Sequence, residues 1–251
     1  MECRAVTPAK VGVIFMKFDT ITIFPDLFKG FLNASLLARA QKKNLLKINI
    51  HNLRKWAKDR HKTVDDRPYG GGAGMLLKIE PIFKAVESLK VGKFKSKKSR
   101  VILLSAKGKT FTQKDARRLT KYDQIILICG RYEGVDERVA KYIADEEISI
   151  GNYILFGGEI PAMVIIETVS RLIPKVVAKS ESVKYESYSD KEAKTKEHPQ
   201  YTRPKVFQPR FKNQESRIKN RIWKVPEVLL SGNHKKIEEW RKKHDIVDSK
   251  K

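Results

Sequence analysis

Cysteine is nearly absent. Cys3 and Cys129 are the only two in 251 residues, too few for a disulfide framework. Cys129 ends an apolar run, where a thiol reads as a small buried hydrophobe rather than a nucleophile. Such sparse use points to a reduced, cytoplasmic protein. The five histidines show no metal-ligand spacing, so no resident metal site is read from them. No apolar run approaches the roughly 18–20 residues that a membrane-spanning helix needs. The opening MECRAVTPAKVGVIFM lacks the order of a signal peptide. Met16 starts a cleaner strand pattern, which leaves residues 1–15 as an N-terminal extension outside the fold. No internal repeat is present.

Acidic residues are also scarce: 29 Asp and Glu stand against 53 Lys and Arg, a net charge of +24. Some of that excess is ordinary lysine-rich surface. The rest gathers in clusters at Lys90–Arg100, Lys205–Lys224 and Lys235–Lys243. Clustered cations gain affinity for a polyanion by releasing counterions from its phosphates. Phe207, Phe211 and Trp223 lie among the second cluster, an interleaving that suits RNA.

A hydrophobic share of 41% supports a packed core. Phe18–Phe24 alternates as a strand, and Pro25-Asp26 opens a helix that places Phe28, Phe31, Leu32, Leu36 and Leu37 on one face. Ile48 and Ile50 mark a second strand. Asp59–Met75 is glycine-rich and charged, the composition of an ordered functional loop. Pro81 begins a helix with Ile82, Phe83, Val86 and Leu89 at helical spacing. Thr112 caps another, and Pro161 opens a third carrying Met163, Ile166, Val169 and Ile173. From Lys175 to Gln200 lysine, glutamate and serine replace aliphatics, as in a mobile linker. Beyond it a small basic module ends in a helix capped by Asn233, with Ile237 and Trp240 on one side.

Three β-branched runs, Val101–Leu104, Ile125–Ile128 and Ile148–Ile150, each break into a loop with glycine and polar residues. Glycine directly after a strand lets backbone groups approach a ligand. The pattern predicts one small-molecule site on the rim of an α/β sheet. Gly108-Lys109-Thr110 imitates the end of a P-loop, but Leu103 stands where the first glycine is required. No G-x-G-x-x-G, nucleophile elbow or H-E-x-x-H is present, which excludes the commonest dinucleotide, serine-hydrolase and zinc-protease chemistries.

The blocks Asp59–Gly72 (DRHKTVDDRPYGGG) and Cys129–Arg138 (CGRYEGVDER) resemble the bacterial tRNA (guanine-N1)-methyltransferases. Ser149–Tyr153, Gly157–Glu159, Tyr201–Pro204 and Leu229–His234 extend the likeness in order, from Met16 to His244. The resemblance implies a SPOUT-type α/β fold, a deep trefoil-knot methyltransferase domain with a small helical C-terminal domain. The corresponding division is an extension at 1–15, a catalytic domain at 16–178, a linker at 179–200 and a basic tRNA-binding domain at 201–251. It further implies a homodimer with composite active sites, S-adenosylmethionine (AdoMet) as methyl donor, and guanosine 37 of tRNA, 3′ of the anticodon, as substrate. Mg²⁺ is an ion that related enzymes use. Methyltransferases of the same superfamily that act on a ribose 2′-OH fit less well, because the Asp59–Gly72 and Tyr201–Pro204 blocks are foreign to them. An RNA-binding protein with the fold but without catalysis is the reading from another class.

Guanine N1 holds a proton at neutral pH, so its methylation needs a base, and charge developing on O6 needs a cation. The family's arginine position falls on Arg171. Its base is an aspartate in the linker, where this chain has Glu186-Ser187-Tyr188; Glu186 is the candidate, with Asp190 as the alternative. The AdoMet contacts implied are Leu104, Ser105, Gly130, Tyr132, Glu133, Ile150, Gly151, Asn152, Tyr153, Ile154, Leu155, Gly157 and Gly158. Those implied for RNA are Asp59, Arg60, His61, Asp66, Arg67, Arg131, Arg203, Ser231, Asn233 and His234. Loop-stabilising ion pairs are an equal account of Asp59–Tyr69 and of Arg131.

Overall fold

The computed structural model describes residues 16–91, 98–177, 186–189, 195–208 and 222–247. Cys3, the extension at 1–15, Asp190 and the larger portions of the linker and of the first two basic clusters lie outside them. The chain divides into two compact units, Met1–Ser180 and Glu181–Lys251.

The first unit is built on a five-stranded sheet in the order β2-β1-β6-β5-β7, with every pairing parallel. Its strands are β1 (Met16–Thr22), β2 (Leu46–Asn52), β5 (Ser99–Thr110), β6 (Gln124–Cys129) and β7 (Glu146–Ser149). Parallel strands covered on both faces should read as continuous apolar runs, and β6 is buried along its whole length. One face packs Phe18, Ile125 and Leu127 against α2 (Ser35–Lys42) and α6 (Glu159–Ser170). The other packs Ile21, Ile126 and Ile128 against α3 (Ile79–Val91) and α5 (Glu137–Tyr142).

The helix expected from Pro25 is not continuous. A 3-10 turn at Pro25–Phe28 leads into α1 (Lys29–Leu32), and α2 begins only at Ser35, which adopts a left-handed φ of 52°. That break rotates the helix face. Phe28 and Leu37 are buried while Leu36 is exposed, so the expected apolar stripe is divided. Phe83, also placed on an inner face by spacing, is exposed, whereas Ile82 and Val86 are buried. The caps were legible: Thr112 accepts from Asp115 N and Asp115 from Thr112 N, closing a capping box on α4 (Gln113–Leu119).

The run Val101–Leu104 does not end its strand at Ser105 as expected. Strand β5 continues to Thr110, with a register shift in which Ile148 pairs with Leu104 and again with Lys109. Gly108 makes this possible: a Cβ there would lie 2.5 Å from the Ile148 nitrogen. Gly108-Lys109-Thr110 is therefore strand, not the loop-to-helix junction that holds a phosphate.

The second unit contains two short antiparallel ribbons, β8 (Thr195–Lys196) with β11 (Ile246–Val247) and β9 (Val206–Phe207) with β10 (Trp223–Lys224). Helices span Glu227–Leu230 and His234–His244. Asn233 caps the second by accepting from Lys236 N at 3.1 Å.

Candidate active site

The middle of β5 and the C-terminal ends of β6 and β7 border one cavity of about 300 Å³. Strand β6 returns between β1 and β5, and β7 lies beyond β5, so the loops diverge here and leave a crevice at the strand ends. Leu104 and Ser105 come from β5; Gly130, Tyr132 and Glu133 follow β6; Ile150, Gly151, Tyr153, Ile154, Leu155, Gly157 and Gly158 follow β7. Of the contacts expected for a methyl donor, Asn152 alone does not belong to the lining. Lys107, Glu137, Phe156 and Pro161 line it too, although none had been expected to touch the donor.

Glycine sets the closeness of the walls. Gly158 N donates to Gly130 O at 2.9 Å, and a Cβ on Gly158 would stand 2.7 Å from Cys129 Cα. Backbone cannot retreat as a flexible side chain can. Tyr132 holds a left-handed φ of 60°, an unusual state for a bulky residue. Its turn is kept by Gly134 N donating to Arg131 O and Glu133 N to Met75 O. Cys129 is buried and free; burial pushes its thiol well up, and Glu159 adds to the shift. A neutral thiol there is packing, as expected.

Arg131 had two sequence-level readings, RNA contact or ion pair. In the fold its Nε donates to Glu159 Oε2 at 2.9 Å, and its guanidinium lies 4.6 Å from the Phe24 ring centre. Glu159 is only 1% exposed and also accepts from Thr22 Oγ1 at 2.6 Å. This cluster ties the end of β1 to the glycine loop and to the start of α6. Thr22 and Glu159 are 137 residues apart, so no sequence window could have paired them.

The Asp59–Met75 segment has its own internal order. Asp59 accepts from Thr63 N and Oγ1; those bonds, the Thr63 hydroxyl first, hold its carboxyl below the ordinary range. Arg60 and His61 are exposed. Asp65–Asp66 (β3) pairs with Leu76–Leu77 (β4), and Asp66 and Arg67 line a second cavity of about 380 Å³ with Asp136 and Arg138. In the second unit Arg203 and His234 are exposed. Ser231 and Asn233 use their side chains on Val228 O and Lys236 N, local capping bonds.

Arg171 is the C-terminal cap residue of α6, whose other end helps wall the cavity. Glu186 belongs to the second unit, in a short turn where Ser189 N donates to Glu186 O.

Residues 16–251 match the model of the tRNA (guanine-1)-methyltransferase family, TrmD. The chain belongs to the TrmD family. Curated relatives agree with TrmD membership. The chain is 50% identical to the tRNA (guanine-N(1)-)-methyltransferase of Carboxydothermus hydrogenoformans, over 93% of this chain and 84% of that one. It is 50% identical to the protein of that name from Dictyoglomus turgidum, over 92% and 85%. With that from Citrifermentans bemidjiense the identity is 47%, over the same shares. TrmD proteins are methyltransferases, and a methyltransferase of this family implies an AdoMet-type donor.

Proposed function

We propose that the protein transfers the methyl group of AdoMet to N1 of guanosine 37 in tRNA. The observation that carries this reading is one cavity bordered by β5 and by the glycine loops that follow β6 and β7, in a chain of the TrmD family. The cavity fits the donor by its chemistry. Glycine backbone offers polar groups, Leu104, Ile150 and Leu155 offer apolar surface for an adenine ring, and Glu133 offers charge opposite a cation. When bound, AdoMet supplies an activated methyl on a sulfonium.

Arg171 then stabilises the charge that grows on guanine O6, and Glu186 accepts the N1 proton as the methyl moves. No covalent intermediate with the enzyme is needed, so alignment of N1 with the donor supplies much of the rate. Glutamate in place of aspartate keeps the basicity and extends the carboxylate by one methylene. Among the described residues no group of three or more His, Cys, Asp or Glu is arranged to hold a metal, and no step here uses Mg²⁺.

The same reading includes a trefoil knot at the glycine loops, as membership of the TrmD family implies. It includes a homodimer with composite sites, whose interface would cover exposed apolar side chains of the first unit such as Phe24, Leu27 and Ile160. Residues 179–200 serve as linker and 201–251 as a helical, basic domain that grips tRNA, with Asp59–Arg67 adding contacts. A cytoplasmic location follows from the substrate, and among the described residues no helix is long and apolar enough to cross a membrane.

Tritiated methyl transfer to an unmodified tRNA transcript tests the proposal, with guanosine 37 changed to adenosine as control. Transfer to the first and none to the second is expected. Binding of both AdoMet and tRNA without transfer would overturn it.

A further inference from the structure

The β9–β10 ribbon leaves its apolar side chains outside. Phe207 pairs with Trp223 across the ribbon, and their ring centres are 5.6 Å apart at a 44° tilt. Phe207 is 46% exposed and Trp223 48%, and Val206 and Ile222 are half exposed as well. A cross-strand aromatic pair supports a ribbon, but burial would serve that purpose better. Two aromatic rings exposed side by side on one face of so short an element mark a contact surface.

Two lysines of the ribbon flank the aromatic pair. Lys205, two residues from Phe207, shares its face, and Lys224, paired with Val206, flanks Trp223 from the edge; both are exposed. The same patch on a second copy is a poor partner, since it would set Lys205 and Lys224 against their own counterparts and like charges repel. Unpaired nucleotides satisfy both features at once. Their bases stack on exposed rings, and their phosphates meet the lysines.

We propose that Phe207 and Trp223 form a stacking platform for unpaired nucleotides of the tRNA substrate, with Lys205 and Lys224 holding the adjoining phosphates. This rests on the reading of the protein as a tRNA-modifying enzyme. It adds a surface that is separate from the donor cavity and acts on RNA affinity alone.

The test uses the full chain and an unmodified tRNA transcript, with binding measured apart from methyl transfer. In the double variant F207A/W223A, the Kd and KM for tRNA rise about tenfold, the loss of one stacked base. Its kcat at saturating tRNA and its AdoMet affinity stay native. W223F, which keeps a ring, remains within about twofold of native binding. K205Q/K224Q reduces the slope of log affinity against log salt by about 2. Native tRNA affinity in the double variant would overturn the platform. So would an altered association state with unchanged tRNA affinity, which would make the patch a contact between copies. If the native chain binds tRNA yet transfers no methyl, the catalytic reading fails and the binding measurements still decide the platform.

Discussion

Arg131 and Glu159 form an ion pair, 2.9 Å long, in which the carboxylate is almost fully enclosed. Glu159 is held from two directions, by Arg131 beside the cavity and by Thr22 at the end of β1. A buried charge is tolerated only while its partners remain. The pair therefore couples the stability of the sheet to the shape of the glycine loop.

Removing the cation should expose that coupling. Arg131→Met leaves Glu159 enclosed without its counter-charge, and a loss of about 3 kcal/mol is expected. Glu159→Gln keeps a group for Thr22 and removes the charge, so its loss should be smaller. Urea unfolding of the two variants provides the comparison; equal losses would mean that the ion pair is not what matters.

Gly130 and Gly158 should respond differently to the same added methyl. At Gly130 the nearest atom to a new Cβ is 3.6 Å away, whereas at Gly158 it is Cys129 Cα at 2.7 Å. Gly130→Ala should change stability by no more than about 1 kcal/mol. Gly158→Ala forces the backbone at Gly158 away from that at Cys129, and AdoMet affinity should fall by at least about tenfold. Calorimetric titration of AdoMet into both variants measures this.

Asp19 predicts an acid-sensitive fold. Burial alone would raise its carboxyl, but hydrogen bonds from His51, Lys17, Asn49 and Gln124 outweigh that and hold it at about 2, against 3.8 ordinarily. The folded value lies below the unfolded one, so the stabilisation is complete above about pH 4 and is lost as pH falls towards 2. The shift corresponds to about 2 kcal/mol. Unfolding free energies measured between pH 5 and 2 should fall less steeply for Asp19→Asn than for the native chain.

The capping box on α4 offers a local test. Thr112→Ala removes the acceptor for Asp115 N and frees the Asp115 carboxylate from its hydroxyl partner. A loss of about 1 kcal/mol is expected, with AdoMet binding unaffected. A thermal melt that does not move would show that Lys109 and Arg118, which also pair with Asp115, suffice to hold the helix start.

For the chemistry, Glu186→Gln should slow methyl transfer by about 10²- to 10⁴-fold while leaving AdoMet affinity intact. Arg171→Ala should lower kcat by about 10²-fold or more. Single-turnover assays at saturating donor separate these from binding. Loss of AdoMet affinity in Glu186→Gln would assign that residue to the shape of the pocket instead of to proton transfer.

The order of residues by itself determined the α/β character, the five strands of the central sheet and the caps at Thr112 and Asn233. A β-branched run, a glycine after it and a threonine three residues before an aspartate act over a few positions, and their physics is local. The glycines that line the cavity were legible for the same reason. Only the tertiary structure decided where β5 ends, because Gly108 is strand solely through its contact with Ile148. It alone broke the first helix at Ser35 and turned Leu36 and Phe83 outward, since packing against the sheet overrides periodicity. It also supplied the ion-pair partner of Arg131, by bringing Glu159, itself bonded to Thr22, to that side chain. A buried charge takes its partners from whatever the fold places beside it, and that is information no short stretch of sequence holds.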